Sequence, residues 1–361
     1  MRYLTAGESH GEALVGILEG FPAGVGMTAA YIERQLLRRR KAWGRSGRQR
    51  RETDTVRILG GLHRGATTGA PIALLIANRD ARPLSASAVP LPGHADLAGA
   101  LKYGFSDVSI VRERASARET AMRVALACFP RRLLGGLGIT VAGRVVRIGD
   151  VVDERDSSGH GNLHEAMRRE LDSAAAAGET LGGEFEVVAR GVPLGLGSCV
   201  QWDRRLEGKI GAQFMSLNAV KALEIGAGFG LSGSKGSAAQ DAICRDHSRR
   251  GFYRPTNRSG GIEGGMTNGE LLVVRAGMKP LPGAAGNCAS LDLRTGRTAS
   301  PRRYRSDTCA VPAAAVIGES LLALALADAL LEKFGSDSFQ ELKARVESWR
   351  QQCRVPLRRS A

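Results

Sequence analysis

The hydrophobic and polar positions of this chain follow two periods, one near 2 and one near 3.6, along most of its length. A period of two, or a short apolar run between turn residues, is typical of strands, whereas a period near 3.6 is typical of helices. The pattern predicts strands at 1–7, 12–21, two between 41 and 80, 138–152, 182–193, one between 203 and 243, and 269–280. It predicts helices at 29–42, 95–104, 116–134, 162–178, the first part of 203–243, and 312–335.

Two of the predicted helices carry boundary signals. Thr28 is a suitable N-cap for the first helix, whose four final cations suit the negative end of the helix dipole. Ser116 is followed three residues later by Glu119, the spacing of a capping box. Because strands and helices alternate without a clear linker, we predict one domain over residues 1–361.

The stretch 81–115 differs from the rest of the chain. It holds three prolines and little regular periodicity apart from the possible helix at 95–104. A long irregular stretch inside a compact domain is usually functional or mobile, so this segment is a place to look for a site.

Composition adds a strong charge bias to this picture. Of 361 residues, 51 are Lys or Arg and 36 are Asp or Glu, which gives a net charge of +15 and predicts anionic ligands. A basic nucleic-acid-binding protein is one competing class. We expect no nucleic-acid partner, because the aromatic content is only 5% and no recognition module is present.

The cysteines and the apolar segments bear on location. The six cysteines are scattered without a C-x-x-C pair or histidines at ligand spacing, so we predict reduced, mostly buried cytoplasmic thiols and no metal site. The apolar segment 313–331 is interrupted by Glu319 and Asp328. We therefore expect no membrane span and a cytoplasmic protein.

Three short segments carry candidate chemistry. His10 lies in "GESHG" beside Ser9, where flanking glycines allow a close backbone approach to a ligand. His94 lies in "PGHAD", with Asp96 two residues later. The predicted helix start at Ser116, with arginines on both sides, could hold a phosphate. Taken singly, each of these segments is more often an ordinary loop or helix start.

Together with other segments they form an ordered set. The blocks, in chain order, are "GESHGEALVGILEGFPAG", "PGHAD", "KYGF", "ERASARETAMRVA", "MSLNAVKALEIGAGF", "GGIEGGMTNGE", "AGMKP" and "RSDTCAVPAAAVIGES". Their order and spacing resemble those of the chorismate synthase family over nearly the whole chain. The resemblance implies an α+β fold, a β-α-β sandwich with helices packed between two antiparallel sheets, and a homotetramer.

The resemblance also implies an activity. Family members eliminate phosphate from 5-enolpyruvylshikimate 3-phosphate in a 1,4-anti elimination that gives chorismate, the last step of the shikimate pathway. The reaction requires reduced FMN without net oxidation, and some members use NADPH to reduce the flavin. The implied partner is thus a small-molecule substrate, and the implied class is a carbon–oxygen lyase of aromatic amino acid biosynthesis.

Site residues carry over by position. His10 and His94 match the histidines that handle protons, one on the departing phosphate and one on the flavin, and Asp307 matches an acid that assists the flavin. Ser9 supports the same group as His10. Arg39 and Arg45 match positions for substrate or NADP. The positions implied to bind FMN are Arg114, Ala115, Ser116, Asn218, Ala219, Gly264, Lys279, Pro280, Leu281, Pro282, Gly283 and Arg305.

Some positions depart from the family pattern. Leu91, Ser106 and Ser109 stand where arginines are usual, and each lost charged contact is worth about 1.5–3 kcal/mol. The alternative reading is a diverged, weakened homologue that binds flavin or a related anion. Arg112 or Arg48 are predicted to compensate if activity is retained.

Overall fold

The computed structural model describes residues 1–45, 52–153, 163–246, 251–283, 288–301, 307–335 and 337–353. Its strands are β1 (Arg2–Ala6), β2 (Ala13–Glu19), β3 (Val56–Gly60), β4 (Leu62–His63), β5 (Ala66–Thr67), β6 (Ile72–Ala77), β7 (Thr140–Ile148), β8 (Val151–Val152), β9 (Gly183–Arg190), β10 (Val220–Ile225), β11 (Cys244–Asp246), β12 (Gly251–Tyr253), β13 (Ile262–Glu263), β14 (Met266–Thr267), β15 (Leu272–Met278), β16 (Ser290–Leu291) and β17 (Thr298–Ala299).

The helices alternate with these strands. They are α1 (Ala29–Arg40), α2 (Asp96–Tyr103), α3 (Val108–Arg114), α4 (Thr120–Gly136), α5 (Glu165–Ala177), α6 (Leu206–Met215), α7 (Gly236–Ala239), α8 (Val311–Phe334) and α9 (Phe339–Gln352). Each helix predicted from the 3.6 period is present, with ends that differ from the prediction by a few residues. Helices α1, α4, α6 and α8 pack together and supply one layer of the fold.

Two antiparallel sheets supply the other layers. The first has the strand order β1-β2-β6-β3, and the second has the order β10-β15-β9-β7-β8. Alternate residues of β15 are buried along its whole length, which is the period of two that the sequence displays. The predicted α+β class is confirmed.

Helices α4 and α8 lie between the two sheets. Helix α4 packs on β2 and β6, α8 packs on β7 and β9, and the two helices pack on each other. Gly143 of β7 and Gly318 of α8 allow this close approach. A Cβ on Gly143 would lie 2.6 Å from the Ala315 carbonyl oxygen, and one on Gly318 would lie 2.7 Å from the Phe185 ring. The arrangement is the predicted β-α-β sandwich.

Helix α8 is long and apolar enough to cross a membrane, yet it is the core helix of this fold. In its most apolar 18-residue window, 89% of the residues are buried. Its buried Glu319 accepts hydrogen bonds from Arg38 and Arg131, each at 2.6 Å. Burial opposes the charge of Glu319, but these guanidinium groups hold the pKa of its carboxyl below the usual value.

The segment before α4 differs from the prediction. Ser116 does cap a helical segment, since its Oγ accepts from the Arg118 amide, but the segment begins as a 3-10 turn at Ala117–Glu119. Glu119 does not complete the predicted capping box. Its carboxylate instead accepts from the Thr5 hydroxyl and the Arg123 side chain. Tertiary contacts therefore replaced the local hydrogen bond.

The stretch 81–115 is also more regular than predicted. Besides α2 it contains α3, whose N-cap Asp107 accepts from the Ser109 amide. The sequence signal for α3 was this aspartate before an apolar residue.

The cysteine prediction was wrong in part, because only Cys128 and Cys309 are buried. Burial raises the pKa of their thiols to about 12 and about 11.

Candidate active site

A cavity of about 450 Å³ opens where the loop between β1 and β2, helix α3, the end of α1 and the segment after β15 meet. Most of the predicted site residues line it. They are Ser9, His10, Arg39, Arg45, His94, Ala115, Ser116, Asn218, Ala219, Lys279, Leu281, Pro282 and Asp307. Residues more than 290 positions apart in the sequence thus converge on one concave surface.

Other predicted residues do not line this cavity. The Arg114 guanidinium donates to the carbonyls of Thr5 and Gly7. Gly264 lies in the turn between β13 and β14, where its φ of 58° suits the hairpin. Pro280 and Gly283 flank the lining residues Leu281 and Pro282 without lining the cavity themselves. Arg305 and Arg48 lie outside the described residues.

Arg39 is a buried cation at the cavity wall. Its side chain donates to Thr120 Oγ1 from Nε at 3.0 Å and from Nη2 at 2.8 Å, and from Nη2 to the Ala117 carbonyl at 2.9 Å. Burial and the neighbouring charges of Arg45 and Arg118 lower the pKa of Arg39 to about 9, so it remains a cation at neutral pH. Among the described residues, its Nη1 has no hydrogen-bond partner.

Arg45 shows the same feature. Its side chain is 7% exposed, and its Nη1 is hydrogen-bonded to Asp307. Its Nε and Nη2 are buried without a partner in the described part of the chain. A buried donor without an acceptor costs free energy. Two arginines of this kind at one cavity indicate that the site is built for an anion.

His10 is held by groups from two other parts of the chain. Its Nδ1 lies 2.7 Å from Oε1 of Glu113, and its backbone amide donates to Oε2 of the same carboxylate at 2.7 Å. On the other side of the ring, Arg82 Nη2 lies 2.8 Å from Nε2, and Asp80 Oδ2 lies 3.7 Å from it. The imidazole therefore has a fixed orientation.

His94 is held by a carboxylate two residues later in the chain. Its Nδ1 lies 2.5 Å from Oδ1 of Asp96, which is fully buried. Oδ2 of Asp96 accepts from Arg112 Nε and Nη2 at 2.9 and 2.5 Å and from the Leu91 amide at 3.0 Å. Burial alone would raise the pKa of Asp96, but the hydrogen bonds from His94, Arg112 and Leu91 lower it below the ordinary value.

Two turns, at Asn218–Ala219 and near Lys279, also contribute to the cavity lining. Asn218 Nδ2 donates to the Ala115 carbonyl at 2.9 Å, and the Ala219 carbonyl accepts from the Lys279 amide at 3.0 Å. Ala219 has a φ of 67°, which side chains with a Cβ rarely adopt. The Lys279 ammonium donates to the Gly93 carbonyl at 2.7 Å. Strained backbone at a cavity is typical of a ligand site.

Ser9 and Ser116 join two segments of the wall. The hydroxyl of Ser116 lies 3.2 Å from that of the buried Ser9, and the Ser9 amide donates to the Glu113 carbonyl. The loop that carries His10 is thereby fixed to the junction between α3 and α4.

Several lining residues were missed by the sequence reasoning, chiefly Glu113 and Glu52. Glu113 lies between two arginines in "RER", and a lone acid within a basic run was the available signal. Arg118, expected at a phosphate, lines the cavity but is bound to Asp54 at 2.5 Å and to Asn78 at 3.0 Å. Its charge is thus largely offset inside the protein.

The three positions that depart from the family pattern lie in different environments. Leu91 lines the cavity, Ser109 is buried and Ser106 is exposed. Arg112, expected to compensate, also lines the cavity, with its guanidinium bound to Asp96.

Comparisons with known proteins agree on one family. The chorismate synthase family model matches residues 1–331. Chorismate synthases of Desulforudis audaxviator and Desulforamulus reducens are 48% and 46% identical to the chain, with coverage of 95% and 97% of the chain and of 95% and 98% of those proteins. A solved structure titled as a crystal structure of chorismate synthase matches with a TM-score of 0.79, 40% identity and 98% coverage of both chains.

This extent of agreement favours a working synthase over the diverged, weakened homologue. The fold, the cavity and the relatives lead to the same assignment. The chain belongs to the chorismate synthase family and is a carbon–oxygen lyase of aromatic amino acid biosynthesis.

Proposed function

We propose that the cavity binds 5-enolpyruvylshikimate 3-phosphate together with reduced FMN and eliminates phosphate to form chorismate. In this elimination a carbon–oxygen bond to phosphate and a ring carbon–hydrogen bond break, and a second ring double bond forms. No net oxidation occurs. The observation that carries the proposal is the pair of buried arginines, Arg39 and Arg45, with donors that no described residue accepts.

The anionic groups of the ligands match the charges of the cavity. The substrate carries a phosphate and two carboxylates, and FMN carries a further phosphate. Guanidinium groups bind such anions through paired hydrogen bonds, which suits Arg39 and Arg45 for the substrate. A volume of about 450 Å³ is in the range of small-molecule sites.

A second group of lining residues suits a flavin. Reduced flavin bound there would supply electron density to the ring from which phosphate departs. Ala115 and Ser116 offer backbone and hydroxyl groups, Asn218 and Ala219 form a fixed turn, and Lys279 supplies a cation. Leu281 and Pro282 add apolar surface that excludes water. We assign these residues to the cofactor.

Protons are assigned to His10, His94 and Asp307. Histidine is a common general acid or base in enzymes, which suits His10 and His94 to the leaving phosphate and to the flavin. Asp307, oriented by Arg45, is assigned to the flavin side, where it assists removal of the ring proton. Ser9 supports the loop of His10 through its contact with Ser116.

The proposal is tested by anaerobic turnover with 5-enolpyruvylshikimate 3-phosphate and photoreduced FMN, with phosphate release as the readout. We expect His10→Ala and His94→Ala each to lower kcat by about 10²–10⁴-fold, the usual contribution of a positioned acid or base. His63→Ala, on the short strand β4 outside the cavity, is the control. Full rates in both cavity variants would exclude the proton assignments.

The source of reducing equivalents is tested in the same assay. Replacing photoreduced FMN by NADPH and oxidised FMN asks whether the chain reduces its own flavin. Turnover that is lost in Arg39→Met only with NADPH assigns Arg39 to the pyridine nucleotide. Equal loss under both conditions assigns it to the substrate.

We further propose a cytoplasmic homotetramer, supported by apolar side chains on the outer face of the first sheet. Leu4 and Ile17 are directly opposite each other on β1 and β2 and are 61% and 42% exposed. Exposed apolar patches of this kind typically mark protein contacts. Sedimentation velocity should show a tetramer, and Leu4→Lys should shift it to smaller species. A monomeric wild-type chain would refute the assembly.

A further inference from the structure

The carboxylate of Glu113 contacts His10 at two points at once. Oε2 accepts from the His10 backbone amide and Oε1 lies against Nδ1, each at 2.7 Å. The side chain is 11% exposed, so water competes little with these contacts. Glu113 is supplied by α3, 103 residues further along the chain than His10.

The other ring nitrogen of His10 faces a cation. Arg82 Nη2 lies 2.8 Å from Nε2. A guanidinium can only donate a hydrogen bond, so Nε2 must accept and must carry no proton. The proton of the neutral ring then belongs to Nδ1, where Glu113 accepts it. Asp80 is 3.7 Å from Nε2, too far for a hydrogen bond that would favour the opposite form.

Several other charged side chains among the described lining residues are bound to groups other than His10. Arg118 lies 3.4 Å from Glu52 and 2.5 Å from Asp54, and Arg45 is bound to Asp307. The described charged groups next to the His10 ring are Glu113 from α3 and Arg82 and Asp80 from the loop after β6.

We propose that Glu113 is the positioning residue that sets the tautomer of His10, with the proton on Nδ1 and a basic Nε2. Arg82 donates to Nε2 in this form, and an anionic ligand that attracts the exposed Arg82 frees Nε2 for proton transfer. The role in turnover rests on the proposed function, whereas the tautomer can be measured without it.

Glu113→Gln gives a sharp test because the two contacts differ in what they require. The backbone amide of His10 can only donate, so it takes the single carbonyl oxygen of the glutamine. The glutamine NH₂ is then placed against Nδ1, which must become the acceptor. The substitution should move the ring proton from Nδ1 to Nε2. Glu113→Asp keeps two accepting oxygens and should retain the proton on Nδ1.

The measurement is a long-range ¹H–¹⁵N spectrum of the full chain labelled with ¹⁵N-histidine. The chain has 6 histidines, and the His10 signals are assigned by their loss in His10→Gln. The matched control is Glu119→Gln, because the Glu119 side chain is also 11% exposed but binds Thr5 and Arg123. The His94 signals report whether the cavity is intact in each variant.

In Glu113→Gln, we expect the ring proton of His10 on Nε2 instead of Nδ1. In Glu113→Asp and Glu119→Gln, we expect the wild-type pattern. An unchanged His10 pattern in Glu113→Gln, or the same change in Glu119→Gln, would overturn the proposal. If Nε2 of His10 accepts a proton during turnover, kcat should fall by about 10²–10⁴-fold in Glu113→Gln and recover in Glu113→Asp. A changed tautomer with undiminished turnover would support the positioning role and refute the proton role of His10.

Discussion

The two histidines of the cavity are oriented by carboxylates of different origin. Asp96 follows His94 by two residues, is fully buried and is also bound by Arg112. Glu113 reaches His10 from a helix 103 residues away and is 11% exposed. The local pair is formed largely by the turn before α2, whereas the distant pair exists only after α3 has packed against the loop between β1 and β2.

This difference separates stability from chemistry. Removing a buried carboxylate leaves its cationic partners without compensation, which is costly wherever water cannot enter. Removing a partly exposed one allows water to replace it in part. We therefore expect the carboxylate beside His94 to contribute more to folding, and the carboxylate beside His10 to act more selectively on the imidazole.

The largest effect is expected from Asp96→Ala. It leaves Arg112 and the Leu91 amide without their acceptor and should lower the free energy of unfolding by about 3–5 kcal/mol. Urea unfolding checks this value. A cost under about 1 kcal/mol, within the range of surface changes, would show that the two carboxylates are not different in kind.

Arg112→Leu tests the pH dependence of the same pair. The pKa of Asp96 is lowered in the folded protein from an ordinary value of 3.8, so its contribution to stability is present above that pH and is lost as pH falls through the folded-state pKa. Without Arg112, one of the groups that lower the pKa of Asp96 is lost, so this pKa rises. The midpoint of acid unfolding should therefore move to higher pH. Arg114→Leu, on the same helix but bound to backbone carbonyls, should leave it in place.

Glu113→Ala should have a smaller effect on folding. It removes two contacts to His10 and should cost about 1–2 kcal/mol by urea unfolding. A cost equal to that of Asp96→Ala would remove the proposed division between a folding role and a chemical role.

Arg82→Ala should have the smallest effect. Arg82 is exposed, so its contact with Nε2 is screened by solvent, and the free energy of unfolding should change by at most about 0.5 kcal/mol. Thermal unfolding measures this. Glu113 alone should keep the proton on Nδ1 of His10, and a changed tautomer in Arg82→Ala would show that the arginine shares that role.

Local features of this molecule could be read from the sequence. The period of two in β15, the apolar run of α8 and the closeness of Asp96 to His94 all depend on residues within a few positions of each other. Most of the residues that the ordered motif blocks assign to the site line one cavity, and their roles stay predictions.

Features that depend on packing could not be read in this way. Arg39 stands among four consecutive cations, and only the packing of α1 against α4 buries it against Thr120. The contact of Glu113 with His10 likewise requires two segments to meet in space. Arg114 and Gly264 match motif positions but do not line the cavity. The Arg114 side chain binds a backbone carbonyl, and Gly264 lies in the turn between β13 and β14.

Helix α3 carries Arg112 and Glu113 side by side, and through them it reaches Asp96 beside one histidine and directly contacts the other. Consecutive residues of a helix point about 100° apart, so Arg112 and Glu113 face different directions. Helix α3 thereby fixes the spacing between the two imidazoles. Any turning of α3 about its axis must disturb both rings together. Deleting or inserting one residue within α3 would break its contacts with Asp96 and His10 together, even with every ligand-binding side chain retained.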